Sequence, residues 1–195
     1  GPDGYIYDPD GISTDEKIAY LLDLRSSGKN ICAPYAEKFP NAKFMAGKKP
    51  WNVAEDFGIS VDLFIPCAMQ NDVAMEDAKN IVKSGAKFYC EGANMPTTND
   101  ALVYLMDELT AVGPAKAANA GGVACSCIEM GQNAGHTVYQ HQDVYDQLHT
   151  IMVNIYNACA QAGETYYGDK NALVQGGNIA GFERVANAMM EQGLV

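Results

Sequence analysis

Between Val61 and Gly113, three short β-prone runs alternate with two helical segments, and that alternation leaves few folds open to the chain. Val61-Asp62-Leu63-Phe64-Ile65-Pro66 is β-branched and nearly continuously apolar, the pattern of a strand buried on both faces. A helix over about residues 76–83 follows, closed by Gly85. Lys87-Phe88-Tyr89-Cys90-Glu91 supplies the next strand, a second helix runs over about residues 99–107, and Ala111-Val112-Gly113 forms a last short strand before Pro114. Repeated strand–helix–strand units of this size argue for a parallel sheet with helices on its faces.

The flanks extend this pattern in different ways. Upstream, Tyr5-Ile6-Tyr7 reads as a short strand and Asp8-Pro9-Asp10-Gly11 as turn chemistry. Ser13 is placed to cap a helix, with Glu16 completing a capping box. Ile18, Leu21, Leu22 and Arg25 continue that helix until Gly28 stops it, and Lys43-Phe44-Met45-Ala46 is a further strand. From Gly121 the signal is helical only. Val123, Cys127 and Met130 share one face of a first helix, and a longer one from about Asp143 carries Val144, Leu148, Ile151, Met152, Ile155 and Cys159 on a single stripe. A last helix over about residues 180–192 carries Phe182, Val185, Ala186 and Met189. The fold class expected is α/β, a partial doubly wound, Rossmann-like parallel sheet over residues 1–120 followed by a C-terminal helical segment over 121–195.

Composition narrows the partners. The 195 residues carry a formal net charge of −11, which repels phosphate backbones and anionic lipid, so neither nucleic acid nor a membrane surface is expected to bind. No apolar run reaches 18 residues, and the start resembles no signal peptide. It also lacks an initiator Met, which leads to the expectation that the native chain begins further upstream. Six scattered cysteines fit neither a disulfide framework nor a zinc site, and read as buried free thiols in a reducing compartment. With no Asn-x-Ser/Thr acceptor, the expected address is cytoplasmic.

Small polar motifs follow the ends of the three central strands. Cys67-Ala68-Met69-Gln70-Asn71 follows the first, Glu91-Gly92-Ala93-Asn94-Met95-Pro96-Thr97-Thr98 the second, and residues 114–122 the third. Ligands of open α/β sheets bind beyond the carboxyl ends of the strands. Small residues there let a flat ring approach the backbone, and Asn offers both a donor and an acceptor. One such motif alone is an ordinary turn; three in succession point to a ligand crevice. Other chemistries are not supported. There is no phosphate-binding Gly-x-x-x-x-Gly-Lys loop, no His-Glu-x-x-His and no Gly-x-Ser-x-Gly, and His136, His141 and His149 lack metal-ligand spacing, so no metal is expected. A Gly-x-Gly-x-x-Gly dinucleotide fingerprint is also missing.

These same segments carry a resemblance. Residues 67–71, 91–98 and 116–123, Glu129-Met130 with Gln132-Asn133, and residues 177–182 look like consecutive signature blocks of the hexameric glutamate dehydrogenases, in order and from end to end. The opening, residues 1–12, resembles that family's second nucleotide-domain strand and its turn. The resemblance implies reversible oxidative deamination of L-glutamate to 2-oxoglutarate and ammonium with NAD or NADP, in a homohexamer. It also implies that the catalytic lysine, the catalytic aspartate and the glycine fingerprint lie upstream of Gly1, so that no catalytic residue is expected within this chain and the isolated chain is expected to be inactive.

By the same resemblance, Asn94 matches an Asn near the nicotinamide, Ala68 and Asn71 a loop bordering its ribose, and Asn119 a second cofactor-contacting Asn. Val123 and Ser126 match residues completing the substrate pocket, the Ser bonding the distal carboxylate. Simple helix packing for Val123, and for Ser126 a hydroxyl bonded to its own helix, are the plain structural alternatives. Pro2 and Asp3 fall where an acid can bond the ribose 2′-hydroxyl of NAD and repel the 2′-phosphate of NADP, which favours NAD. Met69 in place of a Thr and Cys127 in place of a Gly depart from the family pattern. Two other readings stay open: a non-catalytic binding or assembly module, and a leucine or phenylalanine dehydrogenase, against which Ser126 speaks because those substrates need an apolar pocket.

Overall fold

The computed structural model describes residues 1–193, and its contacts divide the chain into two compact units, Gly1–Ser60 and Val61–Val195.

In the first unit, strand β1 (Gly4–Tyr7) pairs with β2 (Lys43–Ala46). The pairing is antiparallel, Gly4 opposite Ala46 and Tyr7 opposite Lys43, and the two strands form a sheet of their own. A parallel continuation of the central sheet is what the sequence leads one to expect. Two helices rather than one separate these strands, α1 (Asp15–Ser26) and α2 (Ala33–Lys38), and the unpredicted α2 adds one more reversal of the chain. Gly4 is required where it stands: at φ +146°, a Cβ would sit 2.1 Å from the Met45 carbonyl oxygen. Helix α1 is capped by Thr14, whose Oγ1 accepts from the Lys17 N–H at 3.3 Å, one residue later than the expected Ser13 cap. Lys17 rather than Glu16 therefore occupies the third helical position, and no capping box forms.

An aromatic cluster fills this unit. Tyr35 lies against Phe39 with ring centroids 4.6 Å apart, and Tyr5 and Trp51 are buried. Two carboxylates are buried with partners. Asp8 pairs with Lys17 at 2.7 Å and accepts from the Tyr35 hydroxyl at 2.6 Å. Asp56, on the short helix α3 (Val53–Phe57), pairs with Lys48 and accepts from the Tyr5 hydroxyl at 2.8 Å.

In the second unit, β3 (Leu63–Phe64), β4 (Phe88–Cys90) and β5 (Ala111–Gly113) form a parallel sheet in that order. Crossover helices α4 (Met75–Lys83) and α5 (Asn99–Glu108) join them, within a residue or so of the predicted ranges. Alternation along the strands buries Phe64, Tyr89 and Val112, and Ala78, Ile81, Ala101 and Leu105 of the two helices are completely buried. The other face is only partly covered. Leu63 and Phe88 line the rim of an apolar cavity of about 280 Å³, whose far wall is Met152, Ile155 and Cys159 of helix α8 (His141–Tyr167). The run from Val61 to Pro66 is thus not buried on both faces as expected: Leu63 is 45% and Ile65 53% exposed. Among the described residues, strand β3 has β4 as its single hydrogen-bonded neighbour, so it forms an edge.

Beyond β5 the chain is helical: α6 (Ala115–Ala118), α7 (Ala120–Ala134), α8 and α9 (Leu173–Gln192). The predicted α8 stripe is the face that packs, from Val144 to a buried Cys159 and on to Ala162. For α7 the packed side is the other one. Val123 and Met130 are exposed, whereas Gly121, Ala124, Cys125 and Ile128 are partly covered, and a Cβ on Gly121 would meet Leu148 and Met152 of α8 at 3.4 and 3.3 Å. Likewise Phe182, Val185 and Met189 of α9 are exposed, and that helix starts seven residues before the predicted Ala180. Glycines conceal its first turns in the sequence, and they are there for contact. A Cβ on Gly176 would lie 2.0 Å from the Cys159 carbonyl oxygen. The α8 and α9 backbones meet where no side chain fits. The expected burial of the free cysteines holds for Cys32 and Cys159 but not for Cys67 and Cys127, which are exposed.

Candidate functional site

The loops that leave β3 and β4 are laced together along their backbones. Pro66 O accepts from the N–H groups of Gly92 and Ala93 at 3.0 and 2.9 Å. Asn71 N–H donates to Met95 O at 2.9 Å, and Val73 N–H to Pro96 O at 2.8 Å. Two non-glycine residues take left-handed backbone to make this fit, Asn71 at φ 54° and Met95 at φ 46°. Asn tolerates that region; Met does so at a cost of about 1–3 kcal/mol, held by the surrounding bonds. Gly92 permits the closest approach, since a Cβ there would sit 2.5 Å from the Cys67 Sγ.

The third loop is tied to the second by Glu91. Its N–H donates to Gly113 O at 3.0 Å, and its Oε2 accepts from the Ala115 N–H at 3.0 Å. The carboxylate is buried, 4% exposed. Four residues on, Asn119 ends α6 and precedes α7, and its Nδ2 donates to the Asn94 Oδ1 at 2.6 Å. Lys116 of α6 bonds the Asn178 side chain of α9, which anchors the same turn from the other side.

The three loops enclose an open cleft of about 540 Å³, walled by Cys67, Ala68 and Gln70 from the first, Gly92, Ala93 and Asn94 from the second, and Asn119, Gly122 and Val123 from the third. Of the residues singled out in the sequence, Ala68, Asn94, Asn119 and Val123 meet in this one wall. Asn71 does not form part of it; its role in the structure is the left-handed turn and the bond to Met95. Ser126 is exposed one turn further along α7, and its hydroxyl donates to Gly122 O at 3.2 Å within its own helix.

Pro2 and Asp3 belong to the first unit. Asp3 is occupied by local structure: its carboxylate accepts from the Cys32 N–H at 3.0 Å and from the Ala33 N–H at 2.9 Å, at the start of α2. Burial acts to raise its pKa, but these amides outweigh it and hold the carboxyl below the usual range. Sequence reasoning does not single out Glu91, Gln70 or Cys67 as site residues. Glu91 in particular carries no sequence signal, because its partner amide is 24 residues away. Among the described residues, no group of three or more His, Cys, Asp or Glu side chains is arranged to hold a metal ion, and no helix is long and apolar enough to cross a membrane.

The profile of the glutamate/leucine/phenylalanine/valine dehydrogenases matches residues 1–193. The chain belongs to this family. It is 49% identical over 195 residues to the NAD-specific glutamate dehydrogenase of Clostridium symbiosum, covering all of this chain and 42% of that protein. It is 43% identical over 192 residues to the NADP-specific enzyme of Haemophilus influenzae, covering 98% of this chain and 41% of that one. A solved glutamate dehydrogenase superposes with a TM-score of 0.89 at 49% identity, over 100% of this chain and 42% of its own. The Plasmodium falciparum glutamate dehydrogenase does so at 0.88 and 39% identity, over 100% and 40%. The chain therefore spans about two-fifths of the length of these relatives of the dehydrogenase family.

Proposed function

We propose that this chain is the C-terminal, nicotinamide-binding part of a glutamate dehydrogenase that interconverts L-glutamate with 2-oxoglutarate and ammonium, as a cytoplasmic homohexamer. Residues 1–120 contribute part of the nucleotide-binding domain, and residues 121–195 a helical segment reaching towards the substrate domain. The observation that carries the reading is the cleft at the three strand ends, with its paired asparagines, in a chain matched from end to end by glutamate dehydrogenases.

The cleft suits a nicotinamide. Ala68, Gly92, Ala93 and Gly122 keep side-chain bulk off its wall, which lets a flat ring lie against the backbone. With Asn119 Nδ2 given to Asn94 Oδ1, the Asn94 Nδ2 and Asn119 Oδ1 remain as one donor group and one acceptor, the complement of a carboxamide or a ribose hydroxyl pair. When bound, the cofactor supplies hydride exchange at the ring. The chain's own residues hold and orient it, and Val123 with Ser126 borders the substrate end. The groups that move protons and polarise the substrate lie, in this reading, in the part of the enzyme outside these 195 residues.

NAD is the cofactor we favour over NADP. Several similar relatives are NAD-specific. The test is a glutamate-dependent NADH and NADPH assay on a longer product of the same gene beside the 195-residue chain. Turnover by the longer protein, higher with NAD, and none by the isolated chain is the expected result. Turnover by the isolated chain would overturn the placement of the catalytic groups.

A further inference from the structure

We infer that Glu91 is a positioning residue for the cleft: its buried carboxylate ties the start of α6 to the end of β4 and so sets Asn119 against Asn94. This assigns a role to a residue that does not itself line the cleft.

The geometry is a closed circuit. Glu91 clasps the β5–α6 junction on both sides of Pro114, accepting from the Ala115 N–H at 3.0 Å through Oε2 and donating to Gly113 O at 3.0 Å through its backbone. Ala115 then fixes Asn119, whose N–H donates to Ala115 O at 2.9 Å across the single turn of α6. Asn119 returns to Asn94 at 2.6 Å, and Asn94 is three residues from Glu91 in the same loop. Removing the carboxylate opens the circuit at its one side chain-to-backbone link, and the Glu91 backbone is then left to hold this junction to β4.

The buried acceptor is the informative part. A carboxylate that is 4% exposed, with no Lys or Arg salt bridge among the described residues, is costly to bury. What the side chain adds is an acceptor oxygen for a backbone N–H at the start of a turn whose other end carries a cleft residue.

The experiment compares Glu91→Gln, which keeps an acceptor oxygen, with Glu91→Ala, which does not. Ala115→Pro serves as an independent variant that removes the donor at a first helical position where Pro is tolerated. The primary readout is the ¹H–¹⁵N signal pair of the Asn119 side-chain amide in the 195-residue chain. It is expected to keep its shifts in Glu91→Gln and to move to those of a free amide in Glu91→Ala and in Ala115→Pro, with core signals such as Ile81 and Leu105 unmoved. An Asn119 signal unchanged in a folded Glu91→Ala, or in Ala115→Pro should the first variant not fold, would overturn the proposal. A second arm rests on the nicotinamide reading: NAD titration, expected about tenfold weaker in Glu91→Ala and within twofold of the parent in Glu91→Gln. Absence of NAD binding in the parent chain would count against that reading and leave the Asn119 result to decide the role of Glu91.

Discussion

Asn119 donates its Nδ2 hydrogen to the Oδ1 of Asn94 at 2.6 Å, joining the loops that follow two different strands of one parallel sheet. The bond lies at the cleft wall, where it orients both amides without using up either one. Each asparagine therefore positions the other, and replacing one disturbs both.

From this follows the behaviour of Asn94→Ala and Asn119→Ala. Each single change should weaken NAD binding by about five- to tenfold, the worth of one net hydrogen bond of about 1 kcal/mol. The double variant should cost less than the product of the two, because they share an interaction. Isothermal titration of the three variants measures this coupling.

Glycines in α9 have opposite roles that substitution separates. Gly176→Ala places a methyl group 2.0 Å from the Cys159 carbonyl oxygen and should destabilise the chain by about 1–3 kcal/mol. Gly181 sits in the same helix, and a methyl group added there would meet nothing within 4 Å, so Gly181→Ala should stabilise by about 0.5–1 kcal/mol. Thermal melts of the two variants should move in opposite directions.

Acidification should weaken the first unit in particular. The Lys17 ammonium and the Tyr35 hydroxyl hold the Asp8 carboxyl below its ordinary value, and for Asp56 burial is outweighed by Lys48 and Tyr5. A carboxylate with a depressed folded-state pKa contributes stability that is full above the unfolded value, about 3.9, and lost as the pH falls through the folded value. Denaturant midpoints should therefore hold steady at neutral pH and drop below about pH 4. Asp8→Asn should lower the neutral-pH midpoint and flatten that drop.

The exposed edge of β3 should promote association. Leu63, Ile65 and Phe88 present apolar surface next to a strand that, among the described residues, has a neighbour on one side only. Light scattering of the isolated chain is expected to show mass rising with concentration, and Leu63→Lys to reduce it. A monodisperse monomer at every concentration would contradict this.

Much of the second unit was legible in the sequence because its signals are local. The apolar runs at Phe64, Tyr89 and Val112 and the α8 stripe ending in Cys159 each announce their own element. What was not legible depends on distant contact. A last helix read from about residue 180 leaves out Gly176, whose place in the helix shows only once Cys159 is seen against it, and the stripe of Val123 and Met130 reads as a packing face although α7 packs through Gly121 and Ile128. Antiparallel pairing of β1 with β2 hinged on α2, whose start at Ala33 is stabilised by Asp3, 30 residues upstream. At the cleft, the strand-end loops could be read as a group, whereas Glu91 could not, since a buried carboxylate looks like any surface acid until its partner amide is located.

The most direct measurement is a ¹H–¹⁵N titration of the 195-residue chain with NAD, and in parallel with its nicotinamide mononucleotide half. If the cleft holds the nicotinamide, the mononucleotide alone should shift the signals of Ala68, Asn94, Asn119, Gly122 and Val123, and NAD should shift the same set. No shift at millimolar ligand, or shifts confined to residues outside these three loops, would contradict it.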